Sequence, residues 1–309
     1  MKRKYKGVIA ALTTPFKGEQ IAPDELKQNI FKYNETGLTG YVIAGSTGEG
    51  PYLSDEECIT LVDTAKKCSS KDKIIIAGTA RESVKNTVEL TSRAGDAGAD
   101  SALICTPHYY KSRMTHDALK KYYLSVAEKS KIPIIIYNIP QNTGVSVDPK
   151  LIITLVQHPR ILGLKDSSGN LTFFEEVYPH FDPESSFLLG AGSLFFPGLI
   201  MGADGGILRL ACILPELCTQ LYEFYKEKKW DKAQKLQQDL VPLNQAVTKD
   251  YGMAATKYAL DLLGYYGGPC RLPLLGPNPT IKKEIKEKLK KLQASWSLGK
   301  DINFNNSGI

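Results

Sequence analysis

Long apolar runs are missing from this 309-residue chain. No stretch reaches the roughly 18 residues that a membrane helix needs, so no membrane span is expected. Metal-binding patterns are missing too: His108, His116, His158 and His180 form no HxH or HExxH cluster, and no metal site is expected. Six cysteines make neither a CxxC pair nor a dense framework. A chain of this size needs no covalent staples, so reduced thiols in a cytoplasmic protein are expected. The opening MKRKYKGVIAALTTP offers no small-residue cleavage site and passes straight into a strand-like run, which argues against a secretory or transit segment. Charge of one sign is present but localised. Of the net +6, residues 282–291 (KKEIKEKLKK) alone contribute +4, from six lysines and two glutamates. Within that stretch and just beyond it, Ile285, Leu289 and Leu292 fall at i, i+4, i+7, which predicts an amphipathic helix with a solvated basic face, not a nucleic-acid patch.

What is present is a rhythm. Eight short apolar runs recur: VIAALTTP (8–15), GYVIAGSTGE (40–49), KIIIAGTAR (73–81), SALICTPHYY (101–110), IPIIIYNIP (132–140), ILGLKDSS (161–168), SFLLGAGS (186–193) and GGILRLAC (205–212). Near-continuous hydrophobic stretches of this length suit parallel strands covered on both faces. Helix-like segments lie between them, among them 54–68, where Ser54 and Glu57 have the spacing of a capping box. The spacing alone fits a doubly wound sheet as well as a barrel. Polar groups, however, gather at the carboxyl end of nearly every run: Thr13/Thr14, Ser46/Thr47, Thr79/Arg81, Tyr109/Tyr110, Tyr137/Asn138 and Lys165/Asp166. That favours a (β/α)8 TIM barrel, whose catalytic groups sit on that face. The expected organisation is a barrel core over 1–212, a helical C-terminal extension over 213–294, wholly helical between 215 and 264, and a polar, flexible tail over 295–309.

Two features carry chemistry. The loop AGSTGEG (44–50) joins a strand to a capped helix, but its glycines run GxxGxG and match neither nucleotide-binding fingerprint. Presentation of the Ser46 and Thr47 hydroxyls and backbone N–H groups to a small carboxylate suits it better; an ordinary turn is the alternative. The second feature is Lys165, which ends the apolar run ILGLKD. It is either solvated, or salt-bridged with Asp166 as a candidate partner, or it is an amine kept out of water. A desolvated lysine loses basicity and becomes a nucleophile toward carbonyls. Tyr137, at the end of the preceding run, is placed to shuttle protons, with Tyr110 as a second phenol.

Several motifs in order then resemble the dihydrodipicolinate synthase and N-acetylneuraminate lyase superfamily of Schiff-base lyases: GSTGE (45–49), TPHYY (106–110), YNIP (137–140), GLKDSSG (163–169) and GADGGI (202–207). The resemblance covers about residues 5 to 280. It implies Lys165 as the imine-forming lysine, Tyr137 as proton shuttle, Ser46 and Thr47 as ligands of the pyruvate carboxylate, and Ile207 along the substrate. Tyr110 would be the phenol inserted into a neighbouring subunit's site of a homo-oligomer, a tetramer or dimer. No cofactor is implied. The synthases carry an arginine shortly after YNxP where this chain has Asn142, and sialic acid lyases carry an acidic pair where it has Gly192 and Ser193. The stretches GYYGGPCRLPL (264–274) and YYKSRM (109–114) are most similar to 4-hydroxy-2-oxoglutarate aldolases. The reading is therefore a class I lyase that cleaves 4-hydroxy-2-oxoglutarate to pyruvate and glyoxylate, with Asn142, Ser167 and Arg209 as candidates for the substrate's far end. Condensation of pyruvate with aspartate semialdehyde and a non-catalytic keto-acid sensor are the alternatives.

Overall fold

In the computed structural model, which describes residues 5–298, the eight apolar runs form eight parallel strands. They are β1 (Gly7–Ala11), β2 (Gly40–Ile43), β3 (Ile74–Gly78), β4 (Ser101–Cys105), β5 (Ile134–Asn138), β6 (Ile161–Asp166), β7 (Ser186–Leu189) and β8 (Gly205–Leu208). Each pairs with the next, and β8 pairs with β1, which closes a TIM barrel. Closure explains the sequence pattern. Inward residues such as Ile9, Val42, Ile76, Leu103, Ile135, Leu162, Leu188 and Ile207 fill the interior. Outward residues such as Val8, Ile43, Ile75, Ile104 and Leu164 meet the surrounding helices. Both faces are therefore buried, and no alternation with polar residues survives.

The strands are followed in turn by α1 (Pro23–Asn34), α2 (Asp55–Cys68), α3 (Val84–Asp96), α4 (His116–Lys129), α5 (Pro149–Leu155), α6 (Leu171–Val177), α7 (Phe195–Ile200) and α8 (Pro215–Lys226). The Ser54–Glu57 capping box at the start of α2 is formed in both directions. The extension is built from α9 (Trp230–Gln245), a π-helical turn (Ala246–Asp250), α10 (Gly252–Leu262) and α11 (Pro279–Ser295). In α11, Ile285, Leu289 and Leu292 form the buried stripe.

Two expectations need refining. The stretch 215–264 is helical and holds no strand, but it is divided into separate helices. It breaks after α8, where Lys228 adopts a left-handed φ of 57°, and again at Gly252 (φ 58°) after the π-helical turn. The start of the tail is also not frayed: Leu298 is buried, and the Trp296 indole Nε1 donates to Asp239 Oδ2 of α9 at 2.9 Å. An indole offers enough apolar area, together with one polar handle, to anchor such a segment. Residues 299–309 lie outside the described part of the chain. Among the described residues no helix is long and apolar enough to cross a membrane.

Candidate active site

The position of Lys165 depends on an irregularity in β6. Ile134 of β5 pairs with Ile161, but Ile135 pairs with Gly163, so Leu162 is skipped and the strand bulges. Ile161 and Leu164 face the helices while Leu162 faces the interior. Strict alternation from Ile161 would turn Lys165 outward. The bulge restores it to the inside, in register with Tyr137 on one side and Leu188 on the other. Gly163 makes this possible: its φ is 150°, and a Cβ there would lie 2.0 Å from the Ser186 carbonyl oxygen of β7.

Lys165 is 5% exposed, and its Nζ lies 4.1 Å from the centroid of the Tyr137 ring. Burial lowers the pKa of this ammonium below the ordinary lysine value. Tyr137 opposes that shift, the Arg209 charge adds to it, and Cys105 opposes it slightly. The Cys105 thiol is itself pushed up to about 11 by burial, so it stays protonated and adds no anion at neutral pH. Asp166 is not the salt-bridge partner of Lys165. Its carboxylate accepts from Asn138 Nδ2 (2.7 Å) and the Ser168 hydroxyl (2.8 Å), which orders the backbone just past the lysine.

The loop after β2 is folded back on itself. The Gly48 and Gly50 N–H groups both donate to the Gly45 carbonyl, and Ala44 and Glu49 take left-handed φ values of 56° and 54°. Gly50 is required, because a Cβ there would sit 2.1 Å from the Ala44 oxygen. Thr47 is buried and Ser46 half-buried on this loop. The Arg209 Nε lies 3.4 Å from Thr47 Oγ1, which joins the end of β8 to the loop. Thr14, past the end of β1, donates its hydroxyl to the Gly48 carbonyl at 2.6 Å.

The remaining candidates divide. Ser167 is brought to the site: a Cβ on Gly190 would meet Ser167 Oγ at 1.8 Å and Lys165 Cε at 3.1 Å, so both side chains converge on the space that this glycine leaves open. Ile207 lines the barrel interior and is buried. Asn142 is exposed on the short helix Pro140–Thr143, whose neighbour Gln141 donates to the Ser167 carbonyl. Tyr110 is not brought to Lys165 within the chain. It is 69% exposed and packs edge-on against Tyr109, itself 77% exposed. Thr79 was expected at the catalytic face, but its hydroxyl instead bonds Thr91 of α3, behind the barrel wall.

One group of residues escaped the sequence reading. Glu49 of the GSTGE loop forms a buried ion pair with Lys257 of α10, Nζ to Oε1 2.6 Å, and each side chain is 1% exposed. Lys257 also donates to the Thr14 and Pro269 carbonyls, and Glu49 Oε2 accepts from the Arg271 backbone N–H. GSTGE was read for its hydroxyls, and nothing local to Lys257 marks it as the glutamate's partner.

Chemically, a buried amine of lowered basicity, a phenol against it and hydroxyl donors for a carboxylate can add to the carbonyl carbon of a 2-oxo acid and move the protons that imine formation requires. Among the described residues no three His, Cys, Asp or Glu side chains gather as a metal site.

Comparison with known proteins agrees with this chemistry. The model of the dihydrodipicolinate synthetase family matches residues 4–292. The 4-hydroxy-tetrahydrodipicolinate synthase of Methanothrix thermoacetophila is 33% identical over 290 residues, 93% of this chain and 97% of that protein. The dihydrodipicolinate synthase structure from Aquifex aeolicus superposes with a TM-score of 0.89 at 30% identity, covering 94% of this chain and 98% of that one. A chloride-inhibited dihydrodipicolinate synthase from Acinetobacter baumannii, complexed with pyruvate, gives a TM-score of 0.88 at 28% identity over 93% and 99% of the two chains. These relatives carry the synthase name. The expected finer likeness to 4-hydroxy-2-oxoglutarate aldolases finds no support among them.

Proposed function

The chain belongs to the dihydrodipicolinate synthetase family and is a carbon–carbon lyase of that class, and from that premise we propose that it works through a Schiff base between Lys165 and pyruvate. The neutral Nζ attacks C2, Tyr137 carries protons to and from the carbinolamine, and water leaves. Loss of a C3 proton from the imine gives an enamine, whose C3 attacks an aldehyde; the reverse sequence breaks the same C–C bond. Ser46 and Thr47 hold the carboxylate. The observation that carries this reading is the Lys165 amine, buried, lowered in basicity and 4.1 Å from the Tyr137 ring.

The synthase-named relatives support aspartate semialdehyde as the aldehyde partner. This reverses the order reached from sequence, where the aldolase came first. Cleavage of 4-hydroxy-2-oxoglutarate stays as the second reading on one observation: Asn142 is neutral and exposed where the synthases were expected to carry an arginine. Borohydride with pyruvate should trap an adduct on the peptide containing Lys165; an unmodified Lys165 defeats the Schiff-base reading. Coupled assays of the condensation and the cleavage, run side by side, then decide the substrate by the larger kcat/KM. A homo-oligomer that buries the Tyr109/Tyr110 pair is part of the same proposal.

A further inference from the structure

Among the described residues Arg209 is a cation with no anion. It lies just past the end of β8, at the cap of the short helix Leu210–Ile213, and its guanidinium reaches both the loop after β2 and the helical extension. Its Nη1 donates to the Val247 carbonyl of the π-helical turn at 2.6 Å, and its Nε lies 3.4 Å from Thr47 Oγ1. Among the described residues Nη2 donates to no protein acceptor, and no carboxylate lies within ion-pair distance. Arg81 and Arg271, by contrast, pair with Asp55 and Glu57. A half-buried guanidinium with no counter-ion among the described residues is costly, and it stays charged at neutral pH. Its anchor is specific: the Val247 carbonyl and the Thr47 hydroxyl hold the fork beside the loop that carries Ser46 and Thr47 and leave Nη2 uncommitted.

We propose that Arg209 is the counter-ion of the keto acid's own carboxylate, which it shares with the Thr47 hydroxyl, and that it makes the site selective for 2-oxo acids over neutral 2-oxo compounds. This deepens the pyruvate-lyase reading and rests on it. It also differs from the role expected from sequence, in which Arg209 reads the far end of the substrate. The contact with Thr47 places the guanidinium at the C1 end. The charge has a second consequence. Lys165 lies against the Tyr137 ring of β5, and its basicity is raised by Tyr137 and Cys105 and lowered by the Arg209 charge. Of these three, Arg209 alone favours the neutral amine that must attack, so its removal moves the acid limb of imine formation to higher pH.

The test compares borohydride trapping of pyruvate with that of pyruvamide, in which an amide replaces the carboxylate, across pH. Wild-type protein, Arg209→Met and Arg209→Gln are used; the glutamine keeps a donor for Val247 should the methionine variant fail to fold. The wild type should favour pyruvate strongly. Either variant should lose about 10- to 100-fold of that preference, as expected for a charge-assisted hydrogen bond, with the acid limb raised. A purely structural role for Arg209 would weaken trapping of both compounds alike and leave the ratio unchanged. A wild-type ratio near one, or an unchanged ratio and acid limb in a folded variant, overturns the assignment. If the wild type traps no pyruvate on Lys165, the lyase reading itself falls; if it traps pyruvate normally and only the ratio fails to move, only the role of Arg209 falls.

Discussion

Lys165 works against the stability of the fold that holds it. Its pKa is lowered by burial, so the unfolded chain holds this proton more tightly than the native chain does. The folded state is therefore penalised below the unfolded lysine pKa of about 10.4, and the penalty shrinks as pH rises toward that value. Lys165→Met, similar in length and without the amine, is expected to abolish trapping and turnover. At pH 7 it should also raise stability by about 1–2 kcal/mol, in the range of active-site residues traded for stability. Denaturant unfolding of both proteins at pH 7 and pH 10 checks this, and the gap should be smaller at pH 10. A variant less stable than the wild type at pH 7 would mean that the amine has a stabilising partner. Asp166 does not supply one, since it is committed to Asn138 and Ser168.

At the scale of the element, β6 delivers the amine, and Gly163 sets its direction. Gly163→Ala puts a Cβ 2.0 Å from the Ser186 carbonyl and asks alanine to hold a φ of 150°. Overpacking and backbone strain together are expected to cost about 3 kcal/mol or more. If β6 relaxes by losing its bulge, Lys165 turns outward and trapping disappears from molecules that remain folded by circular dichroism. Full trapping with wild-type stability would show that the bulge does not place the amine. The example marks how far the sequence was legible. Eight strands and their order could be read because strands buried on both faces must be apolar throughout. That same uniformity hides parity: in ILGLKD nothing tells which of Leu162 and Leu164 faces inward, so Lys165 could be placed at a strand end but not on a face. The glycine was the one available mark, and only the β7 carbonyl opposite explains it. Ser46, Thr47 and Tyr137 were legible because polar residues stand out at the end of apolar runs. The environment of Tyr110 was not: among the described residues it is exposed and meets Tyr109 at 5.0 Å, and the neighbouring subunit proposed to cover it leaves no mark in the sequence. Tyr110→Ala is accordingly expected to weaken association in sedimentation velocity and to lower turnover together, while a dissociated but fully active chain would deny it the role the family resemblance implies.

At the scale of the whole molecule, the extension and the barrel meet on the loop after β2. Lys257 of α10 reaches Glu49 of the loop that carries Ser46 and Thr47, while the Arg271 guanidinium grips Glu57 of α2 in a bidentate pair at 2.6 and 2.8 Å. Burial lowers the pKa of the Lys257 ammonium, and Glu49 is the largest influence holding its charge. A buried ion pair adds little net stability over an apolar pair of similar volume, yet breaking it from one side leaves an uncompensated charge. Lys257→Met alone is therefore expected to cost about 3–5 kcal/mol, because Glu49 is left buried without its cation. Lys257→Met combined with Glu49→Gln should recover much of that, a coupling energy that a double-mutant cycle in urea measures directly. Activity should not recover in parallel. Glu49 holds a left-handed turn that the neutral pair no longer pins, so the loop hydroxyls lose their fixed positions. The double variant is thus expected to be folded, with a KM for pyruvate raised about tenfold and a kcat closer to that of the wild type. Recovery of both stability and KM would reduce the pair to a replaceable packing element; recovery of stability alone would mean that the extension keeps its ion pair to shape the carboxylate loop.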